Sequence, residues 1–127
     1  MKIVIVGPGA MGCLFAAFLS KSLTCFRQQA NEGIWFLDKN KERAAKIQQN
    51  GISIEGISGC WQSPVKATVE TKEIGQADLI IICVKSYDTK EALTQAKSLI
   101  GENTRVLTLQ NGIGNIELIN EIVGSEK

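Results

Sequence analysis

Met1-Lys-Ile-Val-Ile-Val-Gly-Pro-Gly-Ala-Met-Gly12 is the stretch whose reading decides the fold. Four β-formers run without a spacer into Gly7, Gly9 and Gly12, and an apolar pattern of helical period follows at once. This is G-x-G-x-x-G in the context that gives it meaning: strand, tight turn, helix N-terminus. Gly7 permits a backbone angle that a Cβ would penalise by roughly 1–2 kcal/mol. Gly9 lets a pyrophosphate approach the main chain, and Gly12 lets the helix lie close on the strand. The free N–H groups and the positive end of the helix dipole then face the phosphates. The first loop is therefore expected to bind a dinucleotide through Gly7, Pro8, Gly9, Ala10, Met11 and Gly12.

The remainder of the chain alternates strands and helices. Residues 10–19, or slightly beyond, repeat apolar side chains at Met11, Leu14, Phe15, Phe18 and Leu19, as a helix on a sheet requires. The polar residues 20–33 are longer than an ordinary connection and predict a helical extension followed by a surface loop. Strand residues 34–37 end at Asp38, a helix follows over 39–47, and Asn50-Gly51 stops it. Residues 52–55 alternate as a half-buried strand, 56–63 look like a hairpin connection, and 65–69 read as the returning strand. Residues 70–76 suggest a short helix or turn. The nearly unbroken apolar run 78–84 is the signature of a central parallel strand covered on both faces. Each such side chain contributes about 1.5–3 kcal/mol when buried. A helix over 89–100, a strand over 105–109 and a helix over 116–123 complete the series. The expectation is a doubly wound, mostly parallel α/β sheet formed by residues 1–127 as one domain.

In such a sheet, ligands bind at the carboxyl ends of the strands. Those ends carry the glycine loop, Asp38, Lys85 and Asn111. Asp38, at position 38 against Gly12 at 12, lies farther along than the usual twenty or so residues, and the 20–33 segment accounts for the excess. A carboxylate there would accept the adenosine ribose hydroxyls and disfavour a 2′-phosphate, although Lys39, Lys41 and Arg43 follow closely and would offset that repulsion. The competing role for Asp38 is a helix cap. Lys85 interrupts the end of an apolar strand and suits a ribose-phosphate or a substrate carbonyl. Asn111-Gly112 is either a turn dipeptide or an amide facing the nicotinamide and the substrate.

Composition narrows the chemistry. With 44% hydrophobic and 21% charged residues the chain is ordinary for a soluble domain, and a formal net charge of +1 gives no reason to expect nucleic acid or an anionic membrane. There is no histidine, so the commonest general base and metal ligand are both missing. The four cysteines, Cys13, Cys25, Cys60 and Cys83, have no C-x-x-C spacing, which argues for reduced thiols and against a metal site. Glycines break the first apolar run, and no stretch approaches the roughly 18 residues of a membrane span. A cytoplasmic location is expected.

Taken together, these residues resemble the N-terminal domain of the ketopantoate reductase (2-dehydropantoate 2-reductase) family. The matching pieces are Gly7-Pro-Gly-Ala-Met-Gly12, Ala77-Asp-Leu-Ile-Ile-Ile-Cys-Val-Lys-Ser-Tyr87, Leu109-Gln-Asn-Gly-Ile-Gly-Asn115 and Glu121-Ile-Val-Gly-Ser-Glu-Lys127. The resemblance implies an oxidoreductase that reduces 2-dehydropantoate to pantoate, toward pantothenate and coenzyme A. It places the family's cofactor-contacting lysine on Lys85 and its asparagine near nicotinamide and substrate on Asn111. NADP(H) is the family default, whereas Asp38 stands where the family usually tolerates a phosphate and leaves NAD(H) open. The family's catalytic lysine and a substrate-side glutamate belong to a helical C-terminal domain absent from this chain, so the chain alone is expected to be inactive. A homodimer is a further expectation. Two other readings share part of the pattern: a non-enzymatic nucleotide-sensing domain of a potassium transport system, and a related dehydrogenase acting on another 2-keto or 3-hydroxy acid. A sensor has no evident need for Lys85 or Gln110-Asn-Gly112.

Overall fold

A computed structural model describes residues 1–26, 33–57 and 59–125, with the side chains of residues 23–26 outside that description. At its centre is β1 (Ile3–Val6), all four of whose residues are buried. Such a strand cannot alternate apolar and polar residues, because both of its faces are covered. Parallel to it run β2 (Ile34–Leu37) on one side and β6 (Ala77–Ile82) on the other, with Ile3 in register with Ile34 and with Leu79. Two outer strands, β5 (Lys66–Thr68) beside β2 and β7 (Ile100–Thr108) beside β6, give the order β5-β2-β1-β6-β7. All of these pairings are parallel.

The chain steps outward from β1 to β2 and β5, then crosses back to β6. Winding therefore reverses between β1 and β6, and a crevice opens at their carboxyl ends. Alternate side chains of the strands build two separate cores. Val4, Val6, Leu37, Ile80 and Ile82 pack with Ala92, Leu93 and Ala96 of α4 (Thr89–Ala96) and with Ile119 of α5 (Asn115–Val123). On the opposite face Ile3, Ile5, Phe36 and Ile81 meet Ala16 and Ala17 of α1 (Ala10–Phe26) and Ala44 of α2 (Lys41–Asn50). The expected doubly wound α/β sheet is the architecture observed.

Several boundaries differ from those expected. Helix α1 continues to Phe26, and the surface loop expected after it falls on residues 27–32, outside the described residues. Helix α2 starts at Lys41 rather than 39, because the Asn40 side chain accepts the Arg43 N–H at 2.9 Å and so caps it. It stops at Gly51, whose φ of 68° and whose position against the Ser63 carbonyl both exclude a Cβ.

The largest correction concerns residues 52–69. The antiparallel partner of β3 (Ile52–Ile54) is β4 (Trp61–Ser63), within the stretch expected to be only a connection. Residues 66–68, expected to be that return, instead form the parallel edge strand β5. What holds β4 in place is its anchoring on α1. Ser63 Oγ donates to the Ala17 carbonyl at 3.2 Å, Ser20 Oγ donates to the Pro64 carbonyl at 3.1 Å, and Phe18 meets Trp61 edge-on at 5.2 Å between ring centroids. Lys21 Nζ lies 4.4 Å from the Trp61 ring centroid and covers its face. The expected short helix is α3 (Thr71–Ile74). Strand β7 begins at Ile100 and not at Arg105, through polar residues that hide its start. There Thr104 is buried, donates Oγ1 to the Ala77 carbonyl at 2.6 Å and accepts the Gly101 N–H at 2.8 Å. Among the described residues no helix is long and apolar enough to cross a membrane.

Candidate cofactor site

The glycine loop joins β1 to α1 at the crevice, and its three glycines have three separate physical causes. Gly7 has a φ of 95°, and a Cβ there would lie 2.6 Å from Val84 Cγ1. Gly12 is buried in the first turn of α1, where a Cβ would come within 2.4 Å of the Gly7 carbonyl oxygen. Gly9 is the opposite case: a Cβ would meet no protein atom within 4 Å and would project into open space. Its carbonyl accepts the Cys13 N–H at 2.9 Å and starts the helical ladder. The N–H groups of Ala10, Met11 and Gly12 precede that bond and have no partner in an α-helical ladder. Pro8 is buried, and Ala10 and Met11 are exposed at the helix start.

Gly7 and Gly9 line a groove of about 190 Å³ together with Leu37, Lys39 and Arg43 from the β2 side and Val84, Lys85, Asp88 and Glu91 from the β6 side. Of the four strand-end features singled out in the sequence, the glycine loop and Lys85 line this groove, whereas Asp38 lies behind it. Lys85 is exposed on its rim. Asn111, at the end of β7, is exposed and lies outside the lining.

Asp38 is placed differently from its expected role. Its side chain is only 1% exposed, and both oxygens are engaged by Arg43: Nε donates to Oδ2 and Nη2 to Oδ1, each at 2.6 Å. Oδ1 also accepts the Asn40 N–H at 3.0 Å. Burial by itself pushes the Asp38 carboxyl upward. The Arg43 hydrogen bonds, the backbone N–H groups of Asn40 and Lys39 and the Arg43 charge outweigh it and hold the group below the usual carboxylate range. The group that Asp38 presents to the groove is the Arg43 guanidinium, itself 49% exposed. Asp38 does not cap α2; Asn40 does.

Lys39 reaches across the groove mouth. Its Nζ bonds Asp88 Oδ1 at 3.1 Å and lies 3.7 Å from Glu91 Oε2, which ties the β2 loop to the start of α4. The hydrogen bond to Asp88, followed by the charges of Asp88 and Glu91, raises the Lys39 ammonium above its ordinary value. The partner of Lys39 lies 49 residues away in sequence and Arg43 folds back onto Asp38, so residue types alone give neither pairing.

Burial pushes the Cys83 thiol up to about 11, with the neighbouring Cys13 adding to it, and burial likewise raises Cys13. Cys13, Cys60 and Cys83 are free, and the side chain of Cys25 lies outside the described residues. Among the described residues no cluster of three or more His, Cys, Asp or Glu side chains could hold a metal. The arrangement suits an elongated anionic ligand: open space over Gly9, a helix N-terminus beside it, and the cations Lys39, Arg43 and Lys85 in a lining that also holds Asp88 and Glu91.

The chain is similar to known proteins over nearly all of its length. The family model described as "Ketopantoate reductase PanE/ApbA" matches residues 3–127. The 2-dehydropantoate 2-reductase of Aquifex aeolicus is 39% identical over 128 residues, spanning 100% of this chain and 37% of that protein. The corresponding protein of Pyrococcus horikoshii is 37% identical over 124 residues, again covering 37% of its length. Among solved structures, 2-dehydropantoate 2-reductase from Geobacter metallireducens superposes with a TM-score of 0.82 at 32% identity, covering 99% of this chain and 39% of that one. A D-mandelate dehydrogenase in ternary complex with NADH and anilino(oxo)acetate superposes at 0.81 with 30% identity, covering 97% and 38%. The chain therefore spans less than two fifths of the length of each of these four proteins. On the match over residues 3–127, this chain belongs to the ketopantoate reductase PanE/ApbA family.

Proposed function

We propose that this chain is the cofactor-binding part of a reductase that uses NADPH to reduce 2-dehydropantoate. The observation that carries the cofactor half of the reading is the groove at the β1–β6 crevice, with its Gly9 cradle between Lys39 and Arg43 on one side and Lys85 on the other. The substrate half rests on family membership.

When bound, the nicotinamide supplies a hydride. This chain's residues do the binding and orienting. The α1 N-terminus and the backbone at Gly9 would hold the pyrophosphate, Lys85 would neutralise charge beside the ribose-phosphate, and Asn111, outside the groove lining, would face the nicotinamide and the substrate carbonyl. The proton donor and most of the substrate pocket belong to the length of the relatives that this chain does not match.

Preference for NADPH follows from which group meets the adenosine ribose. A free carboxylate would repel a 2′-phosphate, but Asp38 is buried behind Arg43, and the groove presents a guanidinium and an ammonium instead. Asp88 and Glu91 partly neutralise Lys39, so the discrimination is modest. NADPH is expected to bind about tenfold more tightly than NADH, equivalent to about 1.4 kcal/mol, in a fluorescence titration of this chain. Lys39→Ala is expected to bring the two affinities toward parity. Equal affinities in the wild type, or a ratio untouched by Lys39→Ala, would defeat the NADPH assignment; no binding of either nucleotide at millimolar concentration would defeat the cofactor reading itself.

A further inference from the structure

Beyond Leu109, whose N–H donates to the Ile82 carbonyl at 3.3 Å, the β6 and β7 main chains part and lead separately to Lys85 and Asn111. The side chain of Gln110 bridges the gap. Its Nε2 donates to the Val84 carbonyl at 2.8 Å and to Thr89 Oγ1 at 2.7 Å. Its Oε1 accepts from Thr108 Oγ1 at 3.1 Å, and its own N–H returns to Thr108 Oγ1 at 3.2 Å. One amide thus ties together the end of β7, the end of β6 and the first residue of α4.

Each partner sits where a small shift would be felt. Thr89 is fully buried. Val84 immediately precedes Lys85, and its backbone and Cγ1 occupy the space that a Cβ on Gly7 would need. Asn111 follows Gln110 directly, and its carbonyl is held from the other side by Asn115 Nδ2 at 3.2 Å. Asn115 is itself buried and also lies 3.4 Å from the Gly112 carbonyl. The loop carrying Asn111 is otherwise exposed from 111 to 114.

We propose that Gln110 is a positioning residue that sets the distance between the Lys85 loop and the Asn111 loop, and so the pose of the nicotinamide half of the cofactor. The proposal rests on the cofactor reading above. The chemistry requires an amide. Both N–H bonds of Nε2 are spent on acceptors, and the Val84 carbonyl accepts only; a carboxylate at this position would face that carbonyl with no proton to give, and an alkyl chain would leave both acceptors without a donor.

The test separates the two halves of the cofactor. NADPH and 2′,5′-ADP, which lacks the nicotinamide, are titrated against the wild type, Gln110→Leu, Gln110→Glu and Thr89→Val, with melting followed in parallel. Gln110→Leu is expected to weaken NADPH about tenfold and to alter the fluorescence enhancement of the bound nicotinamide, while 2′,5′-ADP stays within about twofold. Gln110→Glu is expected to match that loss at neutral pH and to recover in part as the pH is lowered and the carboxyl gains the one proton it can donate. Thr89→Val, which keeps the shape but removes one acceptor, is expected to shift NADPH alone and by less. Equal weakening of both ligands, or wild-type behaviour of Gln110→Leu, would overturn the proposal. If Gln110→Leu does not fold, Thr89→Val decides the matter on the same criterion. Failure of the wild type to bind either ligand would instead count against the cofactor reading.

Discussion

Gly12→Ala is expected to lower the stability of the chain and abolish measurable dinucleotide binding, whereas Gly9→Ala is expected to abolish binding alone. At Gly12 two effects oppose each other. Alanine favours the helix interior by up to about 1 kcal/mol over glycine. Its Cβ, however, would stand 2.4 Å from the Gly7 carbonyl oxygen, and that atom is backbone, so α1 must move off the loop. Overpacking of this kind costs about 1–3 kcal/mol, enough to outweigh the propensity gain and lower the melting temperature by several degrees. The displaced helix start also turns its N–H groups away from the phosphates, and NADPH affinity should fall by two orders of magnitude or more. At Gly9 the Cβ meets no protein atom within 4 Å. Stability there should remain within about 0.5 kcal/mol of the wild type, while the methyl group fills the space assigned to the pyrophosphate. Melting curves and NADPH titrations on the two variants check both halves. A Gly9→Ala variant that binds NADPH normally would remove the phosphates from the place given to them.

Arg43→Ala is expected to destabilise the chain by about 2–3 kcal/mol at pH 7, below the 3–5 typical when a fully buried ion pair loses one partner, because Arg43 is half exposed and water enters where it leaves. The variant strands the Asp38 carboxylate, 1% exposed, with backbone N–H groups as its remaining support. The loss should depend on pH in a definite sense. Asp38 is held below the usual carboxylate range in the folded chain, so its contribution is complete above the unfolded value near 3.9 and disappears as the pH falls through the lower folded value. Denaturant unfolding from pH 7 downward should therefore show the wild type and Arg43→Ala far apart at neutrality and converging below about pH 4. A gap that stays constant down to pH 3 would mean that the guanidinium stabilises by packing, without help from the charge of Asp38.

Much of this fold was readable from residue types alone. Four apolar residues at 3–6 and the apolar run within 78–84 read as covered strands, buried throughout at 3–6 and at 80–82, and the glycine spacing fixed what joins the first of them to a helix. The confusion at 52–69 arose because alternation reports a strand and not its neighbour. Residues 61–63 and 66–68 look equally extended, and what separates them is anchoring of Ser63 and Pro64 on a helix more than forty residues earlier. The candidate site was readable to the same depth. Asp38, Lys85 and Asn111 could be placed at strand ends, because topology sets that. Their partners could not be, because Arg43 folds back over Asp38 and Gln110 turns its amide toward Val84 only in three dimensions.

The central position of β1 has a consequence for how the chain is made. Its neighbours, β2 and β6, are encoded about thirty and seventy-five residues downstream. At translation rates of about 5–20 residues per second, β1 emerges several seconds before β6 can close its second edge. During that interval four of the most apolar residues in the chain, Ile3 to Val6, present open backbone to the cell. The segment that completes the dinucleotide crevice is thus also the one that ends this vulnerable interval, and substitutions that slow the docking of β6 should reduce the yield of folded protein before they reduce its affinity for any ligand.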